Sequence, residues 1–385
     1  MKALKMASAV TLVIAVTFVV AFNSAFAQQP STQAPAEIRA DQSARPVAAD
    51  AKSMIKQAYE ITNNAKSVAE YDQIIDLLST ARQSTPTQAS MDYSAKLLSW
   101  AYNRRGEAMA DLAGDAADNG NTDGAADLDA KSLNDFNTAI RFDDTRWKAF
   151  HNRGVSLAVL GSYEDAIKDF NRAIQLNGKY TNSWFNRAEI RYELGQFEGA
   201  NEDYTQMIKL DPDDGGAYAG RAHVRYQLKR YNQAIEDFNA AVRLSPESAL
   251  CYTDRADAFA DLGRWDRAAA DYRKAIELDL LFGRAYQGAA WLMATCPDDR
   301  FRNSDLALQA AEKAIGLDGE ADYRYLDTLA AAHANAGKFA EAEIALQRAI
   351  DTAPADFVDH LTQRMKLYQE SRAFRQASRA EAAPR

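Results

Sequence analysis

The sequence contains little of the residue types that build most active sites and metal centres. Only two cysteines are present, Cys251 and Cys296, which is too few for a disulfide framework. The four histidines form no cluster of the kind that holds zinc, and there is no HExxH, GxSxG, GxxxxGK[ST] or paired CxxC motif. We therefore expect no catalytic residue, no metal and no cofactor, and we interpret the protein as something other than an enzyme.

Positive charge is also in short supply. The chain has 45 Lys and Arg against 54 Asp and Glu, which gives a formal net charge of −9. An acidic protein repels the phosphate backbone of nucleic acids and the headgroups of anionic lipids. The composition therefore argues against a nucleic-acid partner, whereas a basic surface on another protein stays compatible with it.

The first 27 residues have the features of a signal peptide. Lys2 and Lys5 precede an uncharged run over residues 6–22, and Ala25-Phe26-Ala27 matches the small-residue pattern before a cleavage site. Cleavage would remove two lysines and no acid, lowering the net charge from −9 to −11. We expect an exported protein, periplasmic or secreted, with no membrane span after cleavage. The alternative is an N-terminal anchor in the inner membrane, although the run is shorter than the roughly 20 residues that span a bilayer.

Four consecutive segments align without a gap at a period of 34 residues, beginning at Phe150, Trp184, Tyr218 and Tyr252. In each segment a small residue follows the opening aromatic by four positions, and a second aromatic and a second small residue recur further along. Small side chains let two helices approach closely while aromatics fill the space beside them. A Leu-Gly pair marks the turn in three segments, and we expect Lys229, which replaces the glycine in the fourth, to strain its turn. This period is typical of stacked helical hairpins.

The pattern resembles the tetratricopeptide repeat, and the resemblance covers about residues 99–354. It implies an all-α fold, a right-handed α-solenoid of stacked antiparallel helix hairpins. We predict a flexible linker over 28–50, a degenerate N-terminal hairpin over 51–98, and six to seven repeats over 99–354 with insertions near 113–129 and 296–303. A capping helix over 355–378 and a tail over 379–385 complete the chain.

Two details of this layout have competing interpretations. Counted from Asn119, the first insertion has oxygen-bearing residues and a glycine at the spacing of an EF-hand loop, but Ala130 stands where the bidentate glutamate is required. A solvated acidic loop is the alternative to a calcium site around Asp123. Cys251 and Cys296 lie about eleven residues apart along parallel neighbouring helices, roughly 16 Å of rise, which is beyond the reach of a disulfide.

Arginine recurs in the first helices and aspartate in the second helices of the regular repeats, and both are absent together from the last two units. We predict that they pair within each hairpin as structural ion pairs, because semi-buried charges must be mutually satisfied. The alternative is that the arginines form a ligand-binding stripe. The predicted pairs are Arg105–Asp135, Arg153–Asp169, Arg187–Asp203, Arg221–Asp237 and Arg255–Asp271.

The resemblance also implies which side chains a partner would contact, because the first helices of tetratricopeptide repeat proteins line the concave surface. Aromatic side chains flanked by acids would suit a peptide segment with apolar anchors and basic neighbours. The alternative is that the tyrosines only cover their own hairpins. The implied groove residues are Asn103, Glu107, His151, Asn152, Val155, Phe185, Asn186, Glu189, Tyr192, His223, Tyr226, Asp257 and Trp291.

The sequence thus favours an extracytoplasmic protein–protein interaction scaffold that binds a partner polypeptide in this groove. One alternative is a periplasmic or envelope chaperone or assembly factor, and another is the regulatory subunit of an enzyme. The sequence does not specify the partner or the oligomeric state.

Overall fold

The computed structural model describes residues 46–84 and 86–377. The predicted signal peptide over 1–27, most of the predicted linker and the predicted tail over 379–385 lie outside these residues. Over the described ranges, every helix is too short or too polar to cross a bilayer.

The described part of the chain forms seventeen α-helices and one 3₁₀ helix, Asp299–Phe301, so the predicted all-α class is confirmed. The α-helices are α1 (Pro46–Thr62), α2 (Val68–Gln83), α3 (Gln88–Asp118), α4 (Thr122–Phe142), α5 (Trp147–Val159), α6 (Tyr163–Leu176), α7 (Thr181–Glu193), α8 (Phe197–Leu210), α9 (Gly215–Gln227), α10 (Tyr231–Leu244), α11 (Ala249–Asp261), α12 (Trp265–Leu278), α13 (Gly283–Thr295), α14 (Ser304–Asp318), α15 (Tyr323–Asn335), α16 (Phe339–Thr352) and α17 (Ala355–Gln369).

Consecutive helices pair as hairpins from α1–α2 to α15–α16, and α17 packs on α16. The chain divides into two compact units, an N-terminal unit that ends at Leu210 and a C-terminal unit that begins at Asp211. In the N-terminal unit the first helices α3, α5 and α7 contact one another in succession. In the C-terminal unit α9, α11, α13 and α15 do the same. Within each unit the first helices therefore form one layer of a tetratricopeptide-type stack.

The repeating aromatic and small residues build the core of each hairpin. Phe170 and Tyr204, on second helices, are almost completely buried. They pack beside small residues of the first helices, and a Cβ added to Gly154 would lie 3.0 Å from the Phe170 ring. Because the two helices approach this closely only where the side chain is small, the sequence pattern fixes how each hairpin packs.

The turn between the two helices of a hairpin is a Schellman motif. In the first regular repeat the Gly161 amide donates to Ala158 O at 3.0 Å and the Ser162 amide donates to Leu157 O at 2.8 Å. The residue after the C-cap adopts the left-handed conformation in six such turns. These residues are Gly120 (φ 78°), Gly161 (φ 74°), Gly195 (φ 70°), Lys229 (φ 60°), Gly263 (φ 70°) and Gly337 (φ 74°).

Lys229 holds a backbone conformation that its Cβ disfavours, so we expect Lys229→Gly to stabilise the protein. The left-handed conformation costs a non-glycine residue about 1–2 kcal/mol, and the entropy of the new glycine offsets part of the gain, leaving about 0.5–1 kcal/mol. Urea denaturation of the full chain measures the change. Gly195→Ala is the matched reverse substitution and should destabilise by a similar amount. A neutral or destabilising Lys229→Gly would contradict the prediction.

The insertion near 113–129 forms helix instead of the acidic loop that we expected. α3 continues to Asp118 and α4 begins at Thr122, because alanine, the best helix former, is frequent on both sides of the turn. Asn121 caps α4 by accepting a hydrogen bond from the Gly124 amide at 3.1 Å. Asp123 lies in the first turn of that helix. Residues 119–130, all of them described, therefore do not form the twelve-residue loop of an EF-hand.

The N-terminal boundary also differs from the prediction. α1 begins at Pro46, inside the segment 28–50 that we assigned to the linker. Proline is favoured in the first turn of a helix, where its missing amide proton costs nothing. The helical part of the N-terminal unit is therefore longer than predicted.

The capping helix predicted over 355–378 ends at Gln369. Ser371 adopts φ 57°, and its amide donates to Tyr368 O at 2.8 Å, while the Arg372 amide donates to Leu367 O at 2.8 Å. These are the two hydrogen bonds of a Schellman motif, so α17 stops as the first helices of the repeats stop. Residues 370–377 continue outside the helix, and we call them the C-terminal segment.

Candidate protein-binding surface

All five arginine–aspartate pairs are present, each with the aspartate on the second helix of its own hairpin. In the Arg153–Asp169 pair, Nε and Nη2 donate to the two carboxylate oxygens at 2.6 and 2.7 Å. The other four have the same two-point geometry, with distances of 2.5–3.0 Å. Each guanidinium also lies 5.0–5.6 Å from the ring of the aromatic residue three positions earlier. The arginines therefore fix the hairpins, and the ligand-stripe alternative is not needed to explain them.

A third contact of these arginines was not predicted. The remaining Nη1 of Arg153 donates to Asn137 at 2.8 Å, and that of Arg255 donates to Asn239 at 3.0 Å. Each asparagine belongs to the preceding hairpin, two residues after that hairpin's own aspartate. The signal in the sequence is an asparagine that recurs at the repeat period at 137, 171 and 239. The arginine thus joins neighbouring hairpins as well as closing its own.

The structure separates the thirteen predicted groove residues into two groups by burial. Seven are buried within the repeats, so their side chains are not exposed to a partner. Their predicted contact with a partner stays a prediction. The buried group is Asn103, Glu107, His151, Asn152, Val155, Asn186 and Glu189. The half-buried group is Phe185, Tyr192, His223, Tyr226, Asp257 and Trp291.

Internal hydrogen bonds explain why polar groove residues of the N-terminal unit are buried. Asn152 Nδ2 donates to Asn103 Oδ1 at 3.1 Å and to Glu107 Oε1 at 2.9 Å. Asn103 Nδ2 also donates to Glu107 Oε1, at 2.9 Å, and Arg104 pairs with the second oxygen at 2.5 Å. Buried polar groups must be satisfied in this way. Asn152, one of the predicted groove residues, uses its amide to join α5 to α3.

His151 is buried in the same layer. Its Nδ1 lies 3.0 Å from Ser183 Oγ on α7, and its ring packs edge-on against Tyr180 with centroids 4.9 Å apart. Burial is the larger cause and the charge of Lys148 the smaller one, and together they lower the pKa of the His151 imidazole to about 3. The side chain is therefore neutral at physiological pH and acts in packing.

The predicted groove residues of the C-terminal unit surround a charge cluster that sequence reasoning missed. Arg284 on α13 donates to Asp257 Oδ2 at 2.7 Å and lies 2.8 Å from Asp254 Oδ1. His223 Nε2 lies 3.2 Å from the other oxygen of Asp254, and Tyr272 donates to Asp257 at 2.6 Å. Burial alone would raise the pKa of the Asp254 carboxyl, but the charges of Arg284 and His223 outweigh it and lower that pKa to about 2. The cluster joins α9, α11 and α13 and keeps Asp257 partly exposed.

The C-terminal segment lies on the first-helix layer of its own unit. The Phe374 ring packs against Trp291 with centroids 5.9 Å apart, and the Arg364 guanidinium lies 5.1 Å from the Trp291 centroid and 5.0 Å from that of Phe374. Our expectation that Trp291 faces an open groove is therefore wrong, because the chain's own segment covers it. The contact joins residues more than 80 positions apart, outside any repeat period, so the sequence pattern gave no sign of it.

Polar contacts of the C-terminal segment are concentrated on two residues. The Gln376 amide donates to Thr295 O at 2.9 Å, and its side chain accepts from Trp291 Nε1 at 2.7 Å and donates to Asp261 Oδ1 at 3.2 Å. Arg375 donates to Ala294 O at 3.1 Å and to Asn335 Oδ1 at 3.0 Å. The first-helix layer of the C-terminal unit thus holds a non-helical stretch of polypeptide through both main-chain and side-chain groups.

Other candidate chemistry is not assembled within the described residues. Cys251 and Cys296 are both buried thiols without a disulfide. Over the same ranges no three His, Cys, Asp or Glu side chains come together as metal ligands.

Comparison with known structures agrees with the observed fold. A tetratricopeptide repeat protein from Parabacteroides merdae is similar at 17% identity with a TM-score of 0.52, over 69% of this chain and 98% of its own. Yeast Tom70 (17% identity, TM-score 0.49, 92% and 69%) and Pseudomonas aeruginosa pilF (17% identity, TM-score 0.45, 57% and 94%) are more distant in fold. Likeness at this identity shows the fold alone.

Comparison by sequence is more specific about the repeats. No curated protein matches the chain. Family models described as tetratricopeptide repeat match residues 147–180, 185–249 and 249–280, which include the four regular segments that align at 34 residues. Together with the hairpin stack and its paired columns, these matches show that residues 147–280 form tetratricopeptide repeats.

Proposed function

We propose that this protein is an extracytoplasmic interaction scaffold that binds an extended segment of another polypeptide on its first-helix layer. Tetratricopeptide repeats are protein-binding modules and generally non-catalytic, so the proposal adds the location and the binding surface. The observation that supports it is the C-terminal segment, a non-helical part of the chain that lies on this layer. Half-buried aromatic and acidic side chains, among them Tyr226 and Asp257, continue the same surface.

Site-specific photo-crosslinking in the producing cell tests the binding surface. We expect a photoreactive residue at Phe185 or at Tyr226 to capture partner protein, because both side chains are half-buried on first helices. Ile344 is the matched control, since it is a 65% exposed apolar residue on the second helix α16. Capture at Ile344 equal to that at the two test positions would contradict a first-helix binding surface.

The extracytoplasmic location has an independent test. We expect the N-terminus of the protein isolated from cells to be Gln28, and the protein to be recovered in the periplasmic or secreted fraction. Replacing Ala25 and Ala27 by bulky residues should block cleavage. Recovery of the intact N-terminus from the cytosol would contradict export. It would not contradict the proposed binding surface.

A further inference from the structure

We infer that the surface under the C-terminal segment is a binding site for a partner segment with an aromatic, a basic and an amide residue in succession. The chain's own Phe374-Arg375-Gln376 occupies it as a built-in competitor. This inference rests on the proposed function and names the partner chemistry at one site. Two observations support it: the contacts that the site makes with each of the three side chains, and the carbonyl groups left unsatisfied at the end of α13.

The end of α13 is built differently from those of α3, α5, α7, α9, α11 and α15, each of which is followed by a left-handed residue. Its C-cap, Cys296, has φ −54° and ψ 131°, and no left-handed residue follows to satisfy the last carbonyls. Two of these carbonyls, Ala294 O and Thr295 O, accept their hydrogen bonds from Arg375 and the Gln376 amide. A helix C-terminus leaves such acceptors unsatisfied and carries partial negative charge, so it favours a basic, hydrogen-bond-donating chain.

Each of the three side chains of the segment meets a matching group. Trp291 and Arg364 enclose one face of Phe374, which selects an aromatic ring. Trp291 Nε1 donates to Gln376 while Asp261 accepts from it, so the site distinguishes an amide from a carboxylate. Arg375 donates to Asn335 Oδ1 at 3.0 Å as well as to the helix end. Recognition of an amide through both its donor and its acceptor is side-chain-specific binding, whereas an apolar cap would need only packing.

The segment is also held less firmly than the helix before it. α17 buries Leu361 at 1% exposure and Tyr368 at 0%, whereas no side chain of residues 371–377 is buried. Part-buried hydrogen bonds, stacking and the packing of Ala373 and Phe374 at the edge of a core cluster open at lower free energy than a fully buried core. Because the segment directly follows α17, its effective concentration at the site is high, on the order of millimolar for a short flexible connection. A partner with the same pattern would bind the same groups and has to compete against this local concentration.

A synthetic peptide with the sequence of residues 370–377 tests the inference by fluorescence anisotropy with the full-length protein. We expect the double variant Phe374→Ala, Gln376→Ala to bind the labelled peptide at least about tenfold more tightly than the wild type, because its own segment no longer competes. Arg372→Ala is the matched control in the same segment, since Arg372 is exposed and bonds Glu370 at 2.8 Å. It should bind the peptide as weakly as the wild type.

Two further changes show whether the peptide occupies the proposed site. The first is Trp291→Phe in the double-variant background, which keeps an aromatic ring but removes the Nε1 donor. The second is a peptide with glutamate in place of the glutamine, which removes the amide that donates to Asp261. Each should weaken binding by about tenfold, as expected for a lost hydrogen bond in a specific site. Circular dichroism of every variant shows that the helices persist.

The outcomes separate cleanly. Equal binding to the wild type and the double variant would overturn the inference, and so would no binding to a folded double variant, because the segment would then be a permanent part of the fold. Binding that ignores Trp291→Phe would place the peptide elsewhere and overturn it as well. Since the probe is the chain's own sequence, these results are independent of partner capture in cells, which tests the proposed function.

Discussion

We expect Arg187→Ala to destabilise the N-terminal unit by about 3–5 kcal/mol, and Arg187→Ala combined with Asp203→Ala to destabilise it much less. Asp203 is 1% exposed and Arg187 is 9% exposed, so the pair lies in the interior of its hairpin. Burial raises the pKa of the Asp203 carboxyl, and the charges of Arg187 and Arg191 oppose that rise. Removing the arginine leaves a buried carboxylate with Arg191, 2.9 Å away, as its remaining ionic partner.

Urea denaturation followed by circular dichroism measures the two single variants, the double variant and the wild type as a double-mutant cycle. Lys168→Ala is the control, since the Lys168–Asp165 pair is exposed and should contribute little. Losses that are equal for Arg187→Ala and for the double variant would refute the pairing as a source of stability.

The arginine–aspartate pairs could be predicted because the spacing of the two residues is constant. The arginine and aspartate are 16 residues apart in every regular repeat, and two helices of fixed length joined by a Schellman turn bring that spacing together each time. Hairpin packing depends on contacts that are local in sequence. The fold class and the five pairs could therefore be predicted from one chain.

The candidate site was predicted less well, because exposure depends on how closely neighbouring hairpins stack. Val155 and Glu107 occupy the same column as Asp257 and Trp291, yet the first two are buried and the last two are half-buried. The column specifies which face of the helix a residue is on. Whether a neighbour such as Asn152 reaches across to cover it is set by side chains in other repeats.

Irregular parts of the chain account for the remaining differences. The C-terminal segment contacts the end of α13 at Ala294 and Thr295, next to the C-cap Cys296. That cap belongs to the insertion before α14 rather than to a repeat column. The repeat period predicts that insertion near 296–303 but indicates no role for it. Its consequence is that α13 ends without a left-handed residue and leaves acceptors for Arg375 and Gln376. Non-periodic residues thus determine where the periodic surface binds chain.

We expect the stability of the N-terminal unit to fall by about 2 kcal/mol between pH 7 and pH 5 on account of His151 alone. The folded pKa of this imidazole is about 3, whereas its unfolded value is about 6.5, so the unfolded chain takes up the proton first as the pH falls. The contribution of the neutral side chain is complete above pH 6.5 and is lost progressively toward pH 3, at about 1.4 kcal/mol per pH unit. Asp254, whose pKa is lowered to about 2, loses its contribution only below its unfolded value near 3.8, outside this window.

His151→Phe separates this effect from every other titration. Phenylalanine already stands at the equivalent position of the next repeat, Phe185, so the aromatic volume is compatible with the layer. We expect the variant to lack the decline between pH 7 and pH 5 in urea denaturation, while the wild type shows it. The same pH dependence in both proteins would mean that protonation of His151 is not coupled to unfolding. The conclusion that the His151 imidazole is buried and neutral in the folded protein would then be wrong.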